Sequence, residues 1–120
     1  MRSSEQIPPK KIIEVGVAAG GTTGIILNCL ENIDQEYRMM SVDIDEKYYR
    51  DNNYPCGFLA YEITKNLQVG THEFQVGTTL SFVIDDFGDD IDFLILDTIH
   101  RMPGENLDFL TALPYLKKMP

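Results

Sequence analysis

One stretch, Ile91 to Asp97 (IDFLILD), limits the possible folds more than any other part of the chain. Its apolar residues run almost without a break, so it offers no polar face to water. A strand of that kind suits a parallel sheet with helices over both faces. Apolar runs of similar character recur upstream at Lys11 to Val17, at Tyr37 to Asp43 (YRMMSVD) and, more weakly, at His72 to Val76. The segments between them change period. Thr22 to Leu30 brings Ile25, Ile26, Leu27 and Leu30 to helical spacing, with Thr22 or Thr23 available as N-cap. FLAYEITKNL offers Phe58, Leu59, Glu62 and Ile63 to a second helix, and Thr79 to Phe87 reads as a third. Pro103 is placed to open a last helix with Leu107, Leu110 and Leu113 on its apolar face, and Pro114 kinks it or ends its first half. The alternation β-α-β-α-β-α-β-α predicts an α/β domain with right-handed crossovers.

Composition narrows the partners. Ten basic against nineteen acidic residues leave a net charge of -9, which disfavours nucleic acid and polyphosphate. No segment approaches the length needed to cross a bilayer and the first residues lack an apolar signal core, so a cytoplasmic protein of one domain, residues 1–120, is expected, with no membrane partner. Cys29 and Cys56 lack metal-ligand spacing and read as reduced thiols. Asp85, Asp86, Asp89, Asp90 and Asp92 lack the order and terminal Glu of a calcium loop and read as a solvated turn.

Ligands in such sheets bind beyond the carboxyl ends of the strands. There the sequence places EVGVAAGGTT, Glu14 to Thr23, and an acid, Asp43, at the end of the second strand. Three glycines and two alanines after a buried strand mark a sharp bend that something approaches closely. Two patterns fit. Gly16, Ala18 and Gly21 match a loosened G-x-A-x-x-G dinucleotide fingerprint, with Asp43 about twenty residues on, where a ribose-binding acid stands. Glu14, Gly16 and Gly20 match E-x-G-x-x-x-G, the opening motif of class I S-adenosylmethionine-dependent methyltransferases. A carboxylate at Glu14 would repel a pyrophosphate, whereas a ligand carrying ammonium and sulfonium groups tolerates it.

With SVDID and DFLILDTIH in order behind it, EVGVAAGGTT makes the chain, from about Lys10 to Lys118, resemble the front half of a class I methyltransferase of the small-molecule O-methyltransferase branch. The resemblance implies a Rossmann-like three-layer α/β/α sandwich with strand order 3-2-1-4. It also implies that the C-terminal strands of the complete fold are missing after KKMP. In such an enzyme Gly16, Ala18 and Gly20 form the turn beneath the methionine part of the cofactor. Glu14 organises that loop, and Thr22 donates from the helix start. Asp43 accepts from the ribose hydroxyls, Ile44 covers the adenine, and Gly77 and Thr79 line the adenine site. Asp97 and His100 stand beside the transfer site, with His100 as general base on a substrate hydroxyl. Position 99 is Ile where several metal-dependent relatives carry a second acid, so no metal is expected.

Other roles are open for the same residues. The glycines serve a tight turn alone, Asp43 and Asp97 cap helices, His100 faces water, and Tyr48, Tyr49 and Tyr54 line a substrate mouth or anchor their loop. The missing strands leave the fourth strand as a bare edge, which predicts a homodimer through that edge. Three functions follow: a methyltransferase that binds S-adenosylmethionine and a small-molecule substrate, an NAD- or nucleotide-binding oxidoreductase domain, or a non-catalytic assembly module of the same fold. The first requires Glu14 and Asp43 to face one cavity.

Overall fold

The computed structural model of the protein describes residues 10–33, 35–96 and 111–116. Four parallel strands, β1 (Lys11–Val15), β2 (Arg38–Asp43), β3 (Thr71–Val76) and β4 (Phe93–Leu96), lie in the order β3-β2-β1-β4. Between them run α1 (Gly21–Glu31), a 3-10 turn (Phe58–Ala60) that leads into α2 (Tyr61–Lys65), and α3 (Leu80–Phe87). Residues 111–116 end in a second 3-10 turn (Leu113–Tyr115). The expected α/β sandwich and its strand order are the observed ones.

Strand parity sorts the core into two layers. Ile13, Val15, Met40 and Val42 face α3, where Leu80, Ile84 and Phe87 complete one buried cluster with Ile91 and Ala112. Ile12 and Met39 face α1 with Leu27, Leu30 and Tyr37. Each fully buried side chain of this size contributes about 1.5–3 kcal/mol. Glu14 pairs with Ser41 in the β1–β2 register, so two polar residues share the α1 face with Ile12 and Met39. α3 ends at Gly88, whose φ of 91° needs no Cβ to be accommodated. Lys11 Nζ and Arg38 Nη1 donate to the Phe87 carbonyl at 2.8 and 3.2 Å, so two cations stabilise the negative end of that helix.

Three local expectations are corrected. Neither Thr22 nor Thr23 caps α1. Gly20 occupies the N-cap position at φ 95°, Thr22 is exposed, and the Thr23 hydroxyl turns inward. The fourth strand starts at Phe93 rather than Ile91 and is only partly buried: Phe93 is 51% exposed and Leu94 to Leu96 are half-buried, while Asp97 lies outside the described residues. Its position explains this. Among the described residues β4 has β1 on one side and, on the other, only a parallel bridge from Ile91 to Leu116. In the last segment the buried residue is Ala112, while Leu113 is 49% exposed; Pro103, Leu107 and Leu110 lie outside the described residues.

Candidate functional site

The bend between β1 and α1 starts at Gly16, where φ reaches 99° while the N–H still donates to Val42 O at 2.8 Å. Ala18 follows at φ 53°, a left-handed conformation that costs a residue with a Cβ about 1 kcal/mol. The turn directs the N–H groups of Val17 and Ala18 toward the end of β2. Asp43 meets them there: its Oδ2 accepts from Val17 N at 2.8 Å and from Ala18 N at 3.0 Å, and its Oδ1 accepts from Asp45 N at 2.9 Å. The bend therefore presents a carboxylate, with Asp45 and Glu46 exposed next to it.

The bare backbone admits the chain itself. A Cβ on Gly20 would lie 2.9 Å from both Cα and the carbonyl oxygen of Gly57. Gly57 N donates to Ala18 O and Leu59 N to Ala19 O, each at 2.8 Å. So the segment that follows β2 folds back onto the bend, and Gly20 exists for that contact. A Cβ on Gly57 would in turn meet the Phe74 ring at 2.6 Å. The loop carrying this segment is closed by a bridge from Lys47 to Pro55 and by stacking of Tyr54 on Phe58 at 4.6 Å. Tyr48 lies 5.7 Å from Phe58, so these aromatics anchor the loop. Buried Cys56 lies against Asp43; burial first, then the Asp43 charge and hydrogen bond, push its thiol up to about 12, which keeps it protonated.

Glu14 and Asp43 do not face one cavity. Glu14 is 0% exposed beneath the bend, where its Oε1 accepts from Thr23 Oγ1 at 2.5 Å and from Ser41 Oγ at 2.8 Å. It organises the loop from below by tying α1 and β2 to β1, while Asp43 closes the bend from above. The cavity shared by Glu14 and Asp43 that the methyltransferase expectation required is therefore not observed, and any charge argument against a pyrophosphate at this bend rests on Asp43 alone.

Of the other expected residues, Ile44 is 68% exposed beside Asp43. Gly77, at φ 72°, has the Glu46 side chain where its Cβ would stand, and Thr78 N reaches Asp43 O at 3.4 Å. Thr79 is the N-cap residue of α3, with its hydroxyl on Ser81 Oγ at 3.0 Å. Gly16, Ala18, Asp43, Ile44, Gly77 and Thr79 thus gather at the carboxyl ends of β1, β2 and β3. Thr22 sits in the first turn of α1, away from Asp43's hydrogen bonds. Asp97 and His100 lie outside the described residues. Among those described, no three His, Cys, Asp or Glu side chains converge as a metal cluster. No helix among them is long and apolar enough to cross a membrane. A cavity of about 560 Å³ at the opposite end of the sheet is lined by Lys10, Tyr37, Arg38 and Gly70 among others.

Two residues near the bend escaped the sequence reading, Glu46 and His72, while Cys56 was read only as a reduced thiol and not as a neighbour of Asp43. His72 joins the buried polar layer, with Nε2 2.9 Å from Ser41 Oγ and Nδ1 3.1 Å from Thr64 Oγ1. Burial, partly offset by the Glu73 charge, lowers it to about 4. Its only sequence signal was a polar residue at the same strand parity as Phe74.

Comparison with protein-family models gives no match, and none is found among curated proteins or solved structures.

Proposed function

We propose that this chain is the cofactor-binding domain of an S-adenosylmethionine-dependent methyltransferase that acts on a hydroxyl of a small molecule. One observation supports the reading above the others: Asp43 holds the amides of Val17 and Ala18, the pair that would otherwise cradle a phosphate. Two like unit charges about 4 Å apart repel by about 4 kcal/mol near a protein surface, so a pyrophosphate entering here is disfavoured. A ribose hydroxyl donates to a carboxylate instead, and a sulfonium is attracted by it. Oδ2 is committed to the bend and Oδ1 to one amide, so the ribose would bond through Oδ1.

The cofactor would supply a methyl group on a cationic sulfur. The residues of this chain would bind and orient it, with Ile44 over the adenine, Gly77 and Thr79 lining that side, and Gly16, Ala18 and Gly20 shaping the floor. In the same reading Asp97 and His100 flank the acceptor, and His100 takes its hydroxyl proton. A cytoplasmic location and a homodimer through the outer edge of β4 belong to the reading too.

Calorimetry tests the proposal. S-adenosylhomocysteine should bind and NAD should not. Asp43→Asn, which keeps the side-chain volume and halves the acceptor capacity, should weaken binding at least about tenfold, the value of one charged hydrogen bond. NAD binding in the absence of S-adenosylhomocysteine binding would instead favour the dinucleotide reading.

A further inference from the structure

The polar layer under the bend is one continuous chain of hydrogen bonds. It runs from Thr64 on α2 through His72 on β3, Ser41 on β2 and Glu14 on β1 to Thr23 on α1. Glu14, Ser41 and Thr23 are each 0% exposed. Donor and acceptor roles follow in order. Glu14 Oε1 accepts from both hydroxyls, so the Ser41 proton points to Glu14 and the Ser41 oxygen has only a lone pair to offer His72. His72 must therefore carry its proton on Nε2, which leaves Nδ1 to accept from Thr64. A neutral imidazole with its proton on Nε2 meets both demands, whereas an imidazolium would turn the Thr64 hydroxyl round to accept at Oγ1.

The chain grips the bend at both flanks. Glu14 lies two residues before Gly16, Thr23 three residues after Gly20, and Ser41 two residues before Asp43 on the same side of β2. We propose that His72 is a positioning residue for the candidate cofactor site: through Ser41 and Glu14 it fixes the height of the bend against β2, and with it the seat of Asp43 on the amides of Val17 and Ala18. The inference rests on the cofactor reading for its consequence in binding, but its structural half stands on the relay alone. The charged groups facing the imidazole are Glu73 on its own strand and, through Ser41, Glu14 on β1.

Nuclear magnetic resonance of labelled protein separates the two halves. In the unmodified chain near neutral pH, the His72 ring nitrogens should show the Nε2–H tautomer; a dominant Nδ1–H tautomer would overturn the relay. His72→Phe keeps an aromatic ring against Phe74 and removes the donor to Ser41. It should move the amide resonances of Val17 and Ala18 and lower S-adenosylhomocysteine affinity about tenfold. His72→Gln, whose amide nitrogen can stand in for Nε2, should restore both. Unmoved amides in the Phe variant, or a Gln variant that behaves like it, would overturn the proposal. If the parent chain binds no S-adenosylhomocysteine, the cofactor reading fails while the amide shifts still decide the relay. Should the Phe variant not fold, Ser41→Ala removes the acceptor that holds the proton on Nε2 and should raise the Nδ1–H fraction; no change there counts against the relay.

Discussion

Lowering the pH from about 7 to about 5 should destabilise the fold by about 2 kcal/mol through His72. The group's folded value is about 4 against 6.5 for an unburied histidine. Because the folded value lies below the unfolded one, the unfolded chain takes up the proton first as pH falls. The stability that neutral His72 preserves is complete above about 6.5 and is lost as pH falls toward about 4. Within that window the slope approaches one proton, about 1.4 kcal/mol per pH unit, and the integral from about pH 7 to about pH 5 is about 2 kcal/mol. Urea unfolding of the parent chain and of His72→Gln at both pH values measures it. The difference between the two pH dependences isolates His72 from His100 and from the carboxylates. Parallel pH dependences would show that the imidazole is not held neutral by burial.

Two further outcomes follow from the same geometry. Gly20→Ala places a Cβ at φ 95° and 2.9 Å from the Gly57 backbone, so thermal unfolding should report a loss of about 2–5 kcal/mol; a loss below about 1 kcal/mol would mean the segment after β2 does not dock on the bend. Glu31 accepts from the backbone N–H groups of Gln68, Val69 and Gly70 and from Tyr37 Oη. Burial raises its carboxyl, but those four donors outweigh burial and hold it at about 2. Its contribution is therefore present above the unfolded value of 4.5 and lost as pH falls toward about 2. Glu31→Gln should flatten that acid limb and cost about 1 kcal/mol at neutral pH, solvent screening included, as read by urea titration.

The sheet was legible in the sequence because strands buried in a parallel sheet leave continuous apolar runs, and their order followed from the resemblance. The half-exposed face of β4 was not, since edge status depends on which strand pairs with which. Thr23 shows how a local rule fails: it stands where capping chemistry favours a hydroxyl, yet Glu14, nine residues earlier, captures that hydroxyl. Glu14 was legible as an acid before a bend. Its direction was not, because parity carries no inside-outside signal in a strand covered on both faces. Gly20 announced a close approach without naming what approaches. Gly57 answers that, from a loop whose docking is a long-range event. Asp43 kept its expected place at the end of β2 and gained a task the sequence did not reveal, closing the bend with its own carboxylate.

That carboxylate is the point on which the functional account turns. Titrating labelled protein with S-adenosylhomocysteine and, separately, with NAD while following the amide resonances of Val17, Ala18 and Asp45 probes the three N–H groups Asp43 holds. The account predicts saturable shifts with the first ligand and none with the second. Shifts with NAD or inorganic pyrophosphate, and silence with S-adenosylhomocysteine, would contradict it.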